Sequence, residues 1–210
     1  MLPAALFDCG IWCYGFYGLS YEYVAAALPA AELRRAVLAH LGNGASMVAV
    51  RDGRSVDTTM GLTPSGGLVM GTRAGDLDPG LLVYLLDHGY DARGLESLVD
   101  REGGLLALSG TTSDMQQLLA VRASDPHAAL AVDAFCYHAR KSIGAFAAVL
   151  GGLVIGRIED QAGCAVLLFR WQKRKTLSFG DEKPVNMRRS LIDNFESPRL
   201  KQSIVEQRIS

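Results

Sequence analysis

The chain lacks a surplus of charge of either sign: 21 Lys and Arg stand against 22 Asp and Glu, a net charge of −1. A near-neutral chain has no extended positive field to draw in a phosphate backbone, so nucleic acid is not expected as its main partner. Cysteine is scarce. Cys9, Cys13, Cys136 and Cys164 follow no zinc-ligand spacing, and free thiols in a reducing cytoplasm are the reading they support. Long apolar runs are missing too. The longest uncharged stretch, Ser142 to Gly156, is too short and too rich in glycine to cross a bilayer. No basic segment leads into a long apolar run at the start, so neither a secretory leader nor a membrane partner is expected. No internal repeat is visible.

What is there supports a packed domain. Of 210 residues, 49% are apolar, enough for one good domain with or without an appendage. Charge is unevenly placed. Arg170 to Ser210 carries a net charge of +5, and the 169 residues before it carry −6. A change of sign at that point suggests a change of role.

The apolar run Ala4 to Phe7 reads as a short strand ending at Asp8. Tyr21 to Leu28 reads as a helix stopped by Pro29. Leu33 to Leu41 reads as a helical turn running into a buried strand. Ala45 to Arg51 alternates as a strand and pairs with Arg54 to Met60 across Asp52-Gly53, a strong hairpin signal. Asp78-Pro79 and Asp125-Pro126 each place an N-cap before a proline at the first helical position. They open helices to about His88 and to Leu150, the latter ended by Gly151-Gly152. Leu95 to Glu102 and Ser113 to Val121 are two further helices, with a short apolar segment, Leu105 to Ser109, between them. A strand-rich start followed by helices argues for an α/β fold. After Gly156 the character changes. Arg170 to Lys175 is a basic cluster, Gly180 to Pro184 a turn, and Ser190 to Ser210 one or two weak helices without the apolar density of a core.

The chemistry concentrates between His40 and Pro79. The glycine-rich turn His40-Leu41-Gly42-Asn43-Gly44 leads into the hairpin, and a second glycine-rich turn, Met70-Gly-Thr-Arg73-Ala-Gly-Asp76, follows it. Backbone N–H groups at glycine can approach an anion closely, and a fixed arginine can pair with it. Each turn also has a plainer reading. Gly-Asn-Gly is common at hairpin entries. Arg73 could be a surface residue paired with Asp76 or Asp78. Asp8 could be catalytic or a simple cap.

The motifs resemble those of the acetate kinase family, over roughly Ala4 to Leu153. His40-Leu41-Gly42-Asn43-Gly44 matches the family's nucleotide-phosphate turn. Arg73 matches the arginine that stabilises its transition state, and Phe7-Asp8 its Phe-Asp-Thr, whose aspartate is catalytic. Tyr14-Gly-Phe-Tyr17-Gly-Leu-Ser-Tyr21-Glu-Tyr-Val resembles Tyr-Gly-Phe-His-Gly-Thr-Ser-His-x-Tyr-Val, with Tyr17 and Tyr21 in place of both histidines. The first of these hydrogen-bonds the transferring phosphoryl in the family. A phenol can donate there but carries no positive charge near neutral pH. Ser109 to Gln116 resembles the nucleotide-contacting Ser-Gly-x-Ser-Ser-Asp-Met-Arg, with Asp114 and Met115 retained and Gln116 for arginine. Glu159-Asp160 echoes a Glu-Asn that binds nucleotide and magnesium, which makes Glu159 a metal candidate.

The resemblance implies the family's second domain, an incomplete actin, sugar kinase and Hsp70-like (ribonuclease H-like) domain over residues 1–155, followed by an unmatched basic tail over 156–210. It implies ATP or ADP and Mg2+ as cofactors. It implies phosphoryl transfer to a small carboxylate, weakened or absent in this chain. A homodimer, or pairing with an intact homologue, would be the partner. The family's first domain, with its carboxylate-binding arginine, has no counterpart in the sequence.

Overall fold

The computed structural model describes residues 3–152, 157–159 and 165–167. Its centre is an antiparallel meander of three strands in the order β1-β2-β3. These are β1 (Arg35–Leu41), β2 (Ala45–Arg51) and β3 (Arg54–Thr58). Two-residue periodicity sorts their side chains. Val37, Ala39, Ala45, Met47 and Ala49 face one core, while Ala36, Leu38, Val48 and Val50 face another. Ala45 to Val50 is buried throughout, so β2 is covered on both faces. The Asp52-Gly53 turn carries φ values of 50° and 77°, the paired left-handed residues that a tight hairpin requires.

Helices supply the two covers. The smaller core is closed by α2 (Gly18–Ala27) through Val24, joined by Leu28 and Leu33. The larger is closed by the 25-residue helix that runs Pro126–Leu150. Its residues Ala128, Ala131, Val132, Phe135, Cys136 and Ala139 recur at helical spacing and are all buried. Asp125 caps it by accepting from the His127 and Ala128 N–H groups, and Gly151 ends it at φ 67°. In chain order the helices are α1 (Ala4–Asp8), α2, α3 (Pro79–Asp87), α4 (Ala92–Asp100), α5 (Gly104–Ser109), α6 (Met115–Val121) and α7 (Pro126–Leu150).

Several boundaries differ from the sequence reading. Ala4 to Asp8 is a helix, not a strand. A four-residue apolar run fits either state by periodicity, and Pro3 immediately before Ala-Ala-Leu favours a helical start. Helix α4 begins at Ala92, three residues ahead of the expected start, because the Asp91 carboxylate accepts from the Gly94 N–H at 2.7 Å. The segment Leu105 to Ser109 is the short helix α5.

Two further strands, β4 (Arg157–Glu159) and β5 (Ala165–Leu167), pair antiparallel, and β5 lies beside β1. The sequence reading placed no strand there. The basic cluster at 170–175, the turn at 180–184 and the weak helices of 190–210 lie outside the described residues. Cys9 and Cys13 are exposed free thiols, and Cys136 is buried. No helix among the described residues is long and apolar enough to cross a membrane.

Candidate phosphate-binding site

The turn between β1 and β2 is shaped by its own backbone. The Gly42 N–H donates to the Gly44 carbonyl at 3.0 Å, which folds Asn43 outward. The second glycine-rich turn comes up against it. The Gly71 N–H donates to the Asn43 carbonyl at 2.9 Å, and a Cβ on Gly71 would overlap Asn43 Oδ1. Glycine permits that approach with the Asn43 side chain where it lies. The two turns that stood separate in the sequence therefore form one surface.

The segment carrying Arg73 is held from below by the start of α5. Gly103 N–H donates to the Thr72 carbonyl at 3.0 Å, Leu105 N–H to Met70 at 2.8 Å and Leu106 N–H to Gly71 at 2.9 Å. Met70 N–H closes the loop on the Arg73 carbonyl at 3.1 Å, and Thr72 Oγ1 donates to the Asp100 carbonyl at 3.0 Å. Arg73 is thus fixed at its backbone while its half-buried guanidinium makes only long contacts, to the Pro64 carbonyl at 3.5 Å and Met70 Sδ at 3.8 Å. The plainer reading of Arg73, a surface arginine paired with Asp76 or Asp78, does not hold. Asp76 accepts from the Gly67 N–H at 2.6 Å, and Asp78 caps α3 by accepting from Gly80 N–H at 3.0 Å. No carboxylate among the described residues pairs with Arg73. A positioned, uncompensated guanidinium beside a glycine turn is suited to an anion.

Helix α2 brings the third component. Tyr17, its N-cap residue, stacks on His40 with ring centroids 4.4 Å apart and 20° between planes. The Tyr17 hydroxyl reaches Gly44. His40 and Ser46 are opposite partners on β1 and β2, and α2 engages both. Ser20 Oγ lies 3.1 Å from His40 Nδ1, and the Tyr21 hydroxyl is hydrogen-bonded to Ser46 Oγ. Burial lowers His40 from the ordinary histidine value, which favours the neutral imidazole. Burial also pushes the Tyr21 phenol up to about 12.

Of the sequence-predicted site residues, the structure brings together Tyr17, His40, Gly42, Asn43, Gly44 and Arg73. Leu41 sits between them and packs its side chain on the larger core. Asp114 caps α6, accepting from Gln116 N–H at 2.8 Å, with Gln116 exposed and Met115 packed on the larger core. No hydrogen bond joins Asp114, Met115 or Gln116 to the turn at 42–44. Asp8 is exposed at the end of α1, and no hydrogen bond or ion pair ties it to Arg73. Glu159 lies in β4 opposite Ala165. Among the described residues, no group of three or more His, Cys, Asp or Glu could hold a metal ion.

The sequence reading missed Gly71 as the partner of Asn43, the Gly103-Gly104 support under Arg73, and Ser20 and Ser46 beside His40. The glycines on either side of Thr72-Arg73-Ala74 were the signal for the first. The others depend on contacts between distant segments.

The chain matches the Acetokinase family over residues 1–159. It is 49% identical over 158 residues to acetate kinase of Rhodopseudomonas palustris, an alignment that covers 72% of this chain and 39% of that protein. Its structure is similar to that of Porphyromonas gingivalis acetate kinase, with a TM-score of 0.68 and 38% identity, covering 72% of this chain and 40% of the other. A propionate kinase from Francisella tularensis is similar at a TM-score of 0.67 and 36% identity, covering 73% and 41%. The fold is therefore the α/β, actin, sugar kinase and Hsp70-like one that the motifs implied. The chain spans about two fifths of the length of the curated relatives it matches.

Proposed function

The chain belongs to the acetokinase family, and from that premise we propose that it carries the phosphate-binding half of a carboxylate kinase. The reaction is transfer of the terminal phosphoryl group of ATP to acetate, giving ADP and acetyl phosphate. The observation that carries this reading is the convergence of the turn at 42–44, Gly71 and an unpaired Arg73 on one surface. Phosphoryl transfer spreads negative charge over equatorial oxygens, and positioned cations and N–H donors stabilise it. Arg73 supplies the cation and the glycine turn the close approach. His40 and Asn43 would face the nucleotide phosphates, and Asp114, Met115 and Gln116 the nucleoside. Magnesium would accompany the nucleotide, and the described residues supply no ligand set for it.

The second reading is a non-catalytic nucleotide-binding fragment that pairs with an intact homologue or a second copy. Tyr17 and Tyr21, where the family motif has histidines, favour it, since a phenol brings no positive charge to a transferring phosphoryl group. The exposed Leu81, Val83, Tyr84 and Leu86 on α3 support pairing. Mixing the chain with acetate, MgATP and hydroxylamine separates the readings. We expect nucleotide binding by calorimetry without acetyl hydroxamate, because the carboxylate-binding arginine of the family's first domain has no counterpart among the 210 residues. Turnover of ~1–100 per second would show the chain to be a complete kinase. Absence of any nucleotide binding would reject both readings.

A further inference from the structure

Gly44 leaves room for something to approach its backbone, and in this chain the approach is made by Tyr17. A Cβ built on Gly44 would overlap the Tyr17 hydroxyl and would stand 3.3 Å from Arg73 Nη1. The phenol oxygen therefore occupies the open side of Gly44, the side that the Arg73 guanidinium also approaches. The ring lies on His40, centroids 4.4 Å apart. Tyr17 also adopts φ 65°, a left-handed backbone that residues with a side chain rarely take. Such a conformation persists only where the surroundings over-determine it, and it clusters at functional sites.

The chemistry of the contact is mismatched. A phenol is neutral around pH 7 and brings no countercharge to Arg73. Asp76 and Asp78 are committed to Gly67 and to the α3 cap. The guanidinium thus stands without a carboxylate next to a space that is already filled. An anion would satisfy it, and the phenol stands where the anion's oxygens would lie.

We propose that Tyr17 is a wedge in the anion cradle: it closes the space between Gly44 and Arg73 to a tetrahedral oxyanion in the resting chain, and admits one only after the ring leaves His40. The inference rests on the phosphate-binding reading of the cradle. A closed resting form lowers apparent affinity by the fraction of chain that is open, so removing the wedge returns that factor as tighter binding.

Titration calorimetry of the full chain with inorganic phosphate tests this, using wild type, Tyr17→Ala, Tyr17→Phe, Arg73→Ala and the double variant Tyr17→Ala with Arg73→Ala. Tyr17→Ala should bind phosphate about tenfold tighter, as expected where the closed form outweighs the open one by ten to one. Tyr17→Phe, which keeps the ring and loses the hydroxyl, should fall between. The double variant should lose the gain. A tyrosine that only packs would weaken the site when removed, so a gain is the distinguishing sign. Tyr17→Ala binding no tighter than wild type, while Arg73→Ala weakens wild type, overturns the wedge and leaves the cradle. No binding by wild type and Tyr17→Ala alike, both folded by circular dichroism, overturns the cradle and the wedge with it. If Tyr17→Ala does not fold, Tyr17→Phe decides between the same outcomes, because only the hydroxyl leaves the space.

Discussion

Arg35 and Arg51 stand directly opposite each other on β1 and β2, and both turn to the same helix end. Arg35 Nη1 donates to the Gly151 carbonyl at 2.8 Å and Arg51 Nη2 to the Val149 carbonyl at 2.7 Å. Like charges opposed across strands repel, so the pair needs a compensating partner. The last carbonyls of α7, which have no intrahelical donor and carry the negative end of the helix dipole, provide it. The sheet that bears the Gly42 to Gly44 turn is thereby tied to the helix that covers it.

Removing either arginine should therefore destabilise the chain modestly. Each side chain is exposed, and a cation at a helix C-terminus is worth about 0.3–1 kcal/mol. Arg35→Ala or Arg51→Ala should lower Tm by about 1–4 °C for a chain of this size. The double variant should lose more than the two singles combined, because each single removal already relieves the one repulsion, which the double variant can relieve only once. Thermal melts of all four chains measure the coupling. Losses that simply add would mean that the two charges do not feel each other.

Acidification should weaken the fold through histidine. Burial holds His40 below its usual value of 6.5. His138 is lowered by burial and then by Lys141, with Asp76 opposing. Below about pH 6.5 the unfolded chain takes up protons that the folded chain refuses, so stability falls as pH falls through that range. Tm should drop between pH 7.5 and 5.5, and His40→Gln with His138→Gln should flatten the dependence. An unchanged slope in the double variant would remove these two residues as the cause.

Much of this fold could be read from the sequence where local chemistry decides the outcome. Asp52-Gly53 specified the hairpin, and Asp78-Pro79 and Asp125-Pro126 specified the starts of α3 and α7, because caps and turns act within a few residues. Ala4 to Asp8 could not be read that way, since a four-residue apolar run has no period to measure. Of the candidate site, glycine spacing drew notice to the Gly42 to Gly44 turn and Arg73, and the resemblance to the family's motifs singled them out. What fixes them together was not legible. Asn43 with Gly71, Ser20 with His40, and Tyr21 with Ser46 are contacts across 20 or more residues, and nothing local encodes them. The pairing of Tyr17 with Gly44 depends likewise on α2 docking over the strand ends.

Arg73 gives the most direct check on the site. Among the described residues its guanidinium makes contacts of 3.5 and 3.8 Å only, so its loss should leave the melting temperature almost unchanged. A hydrogen bond to a charged group contributes about 1.5–3 kcal/mol. Arg73→Ala should therefore weaken nucleotide binding by about ten- to a hundredfold, read by calorimetry. Equal affinity in wild type and variant would return Arg73 to the surface residues.

The support beneath Arg73 should prove as important as Arg73 itself, and it rests on Gly104. This residue holds φ 64°, and a Cβ there would run into the Met70 and Arg73 carbonyls. Both neighbours are backbone atoms, which cannot rotate aside as a side chain would. Gly104→Ala must then either strain its own backbone, at about 1–3 kcal/mol, or push the 70–73 loop away from α5. The second response breaks the hydrogen bonds from Leu105 to Met70 and from Leu106 to Gly71, and with them the approach of Gly71 to Asn43. We expect Gly104→Ala to lower both stability and phosphate affinity, whereas Arg73→Ala lowers affinity alone. Gly110→Ala is the control, since Gly110 has a similar φ of 68° but open space around its Cβ position. It should cost stability without touching affinity. If Gly104→Ala and Gly110→Ala behave alike in both measurements, the loop bearing Arg73 is not positioned by α5.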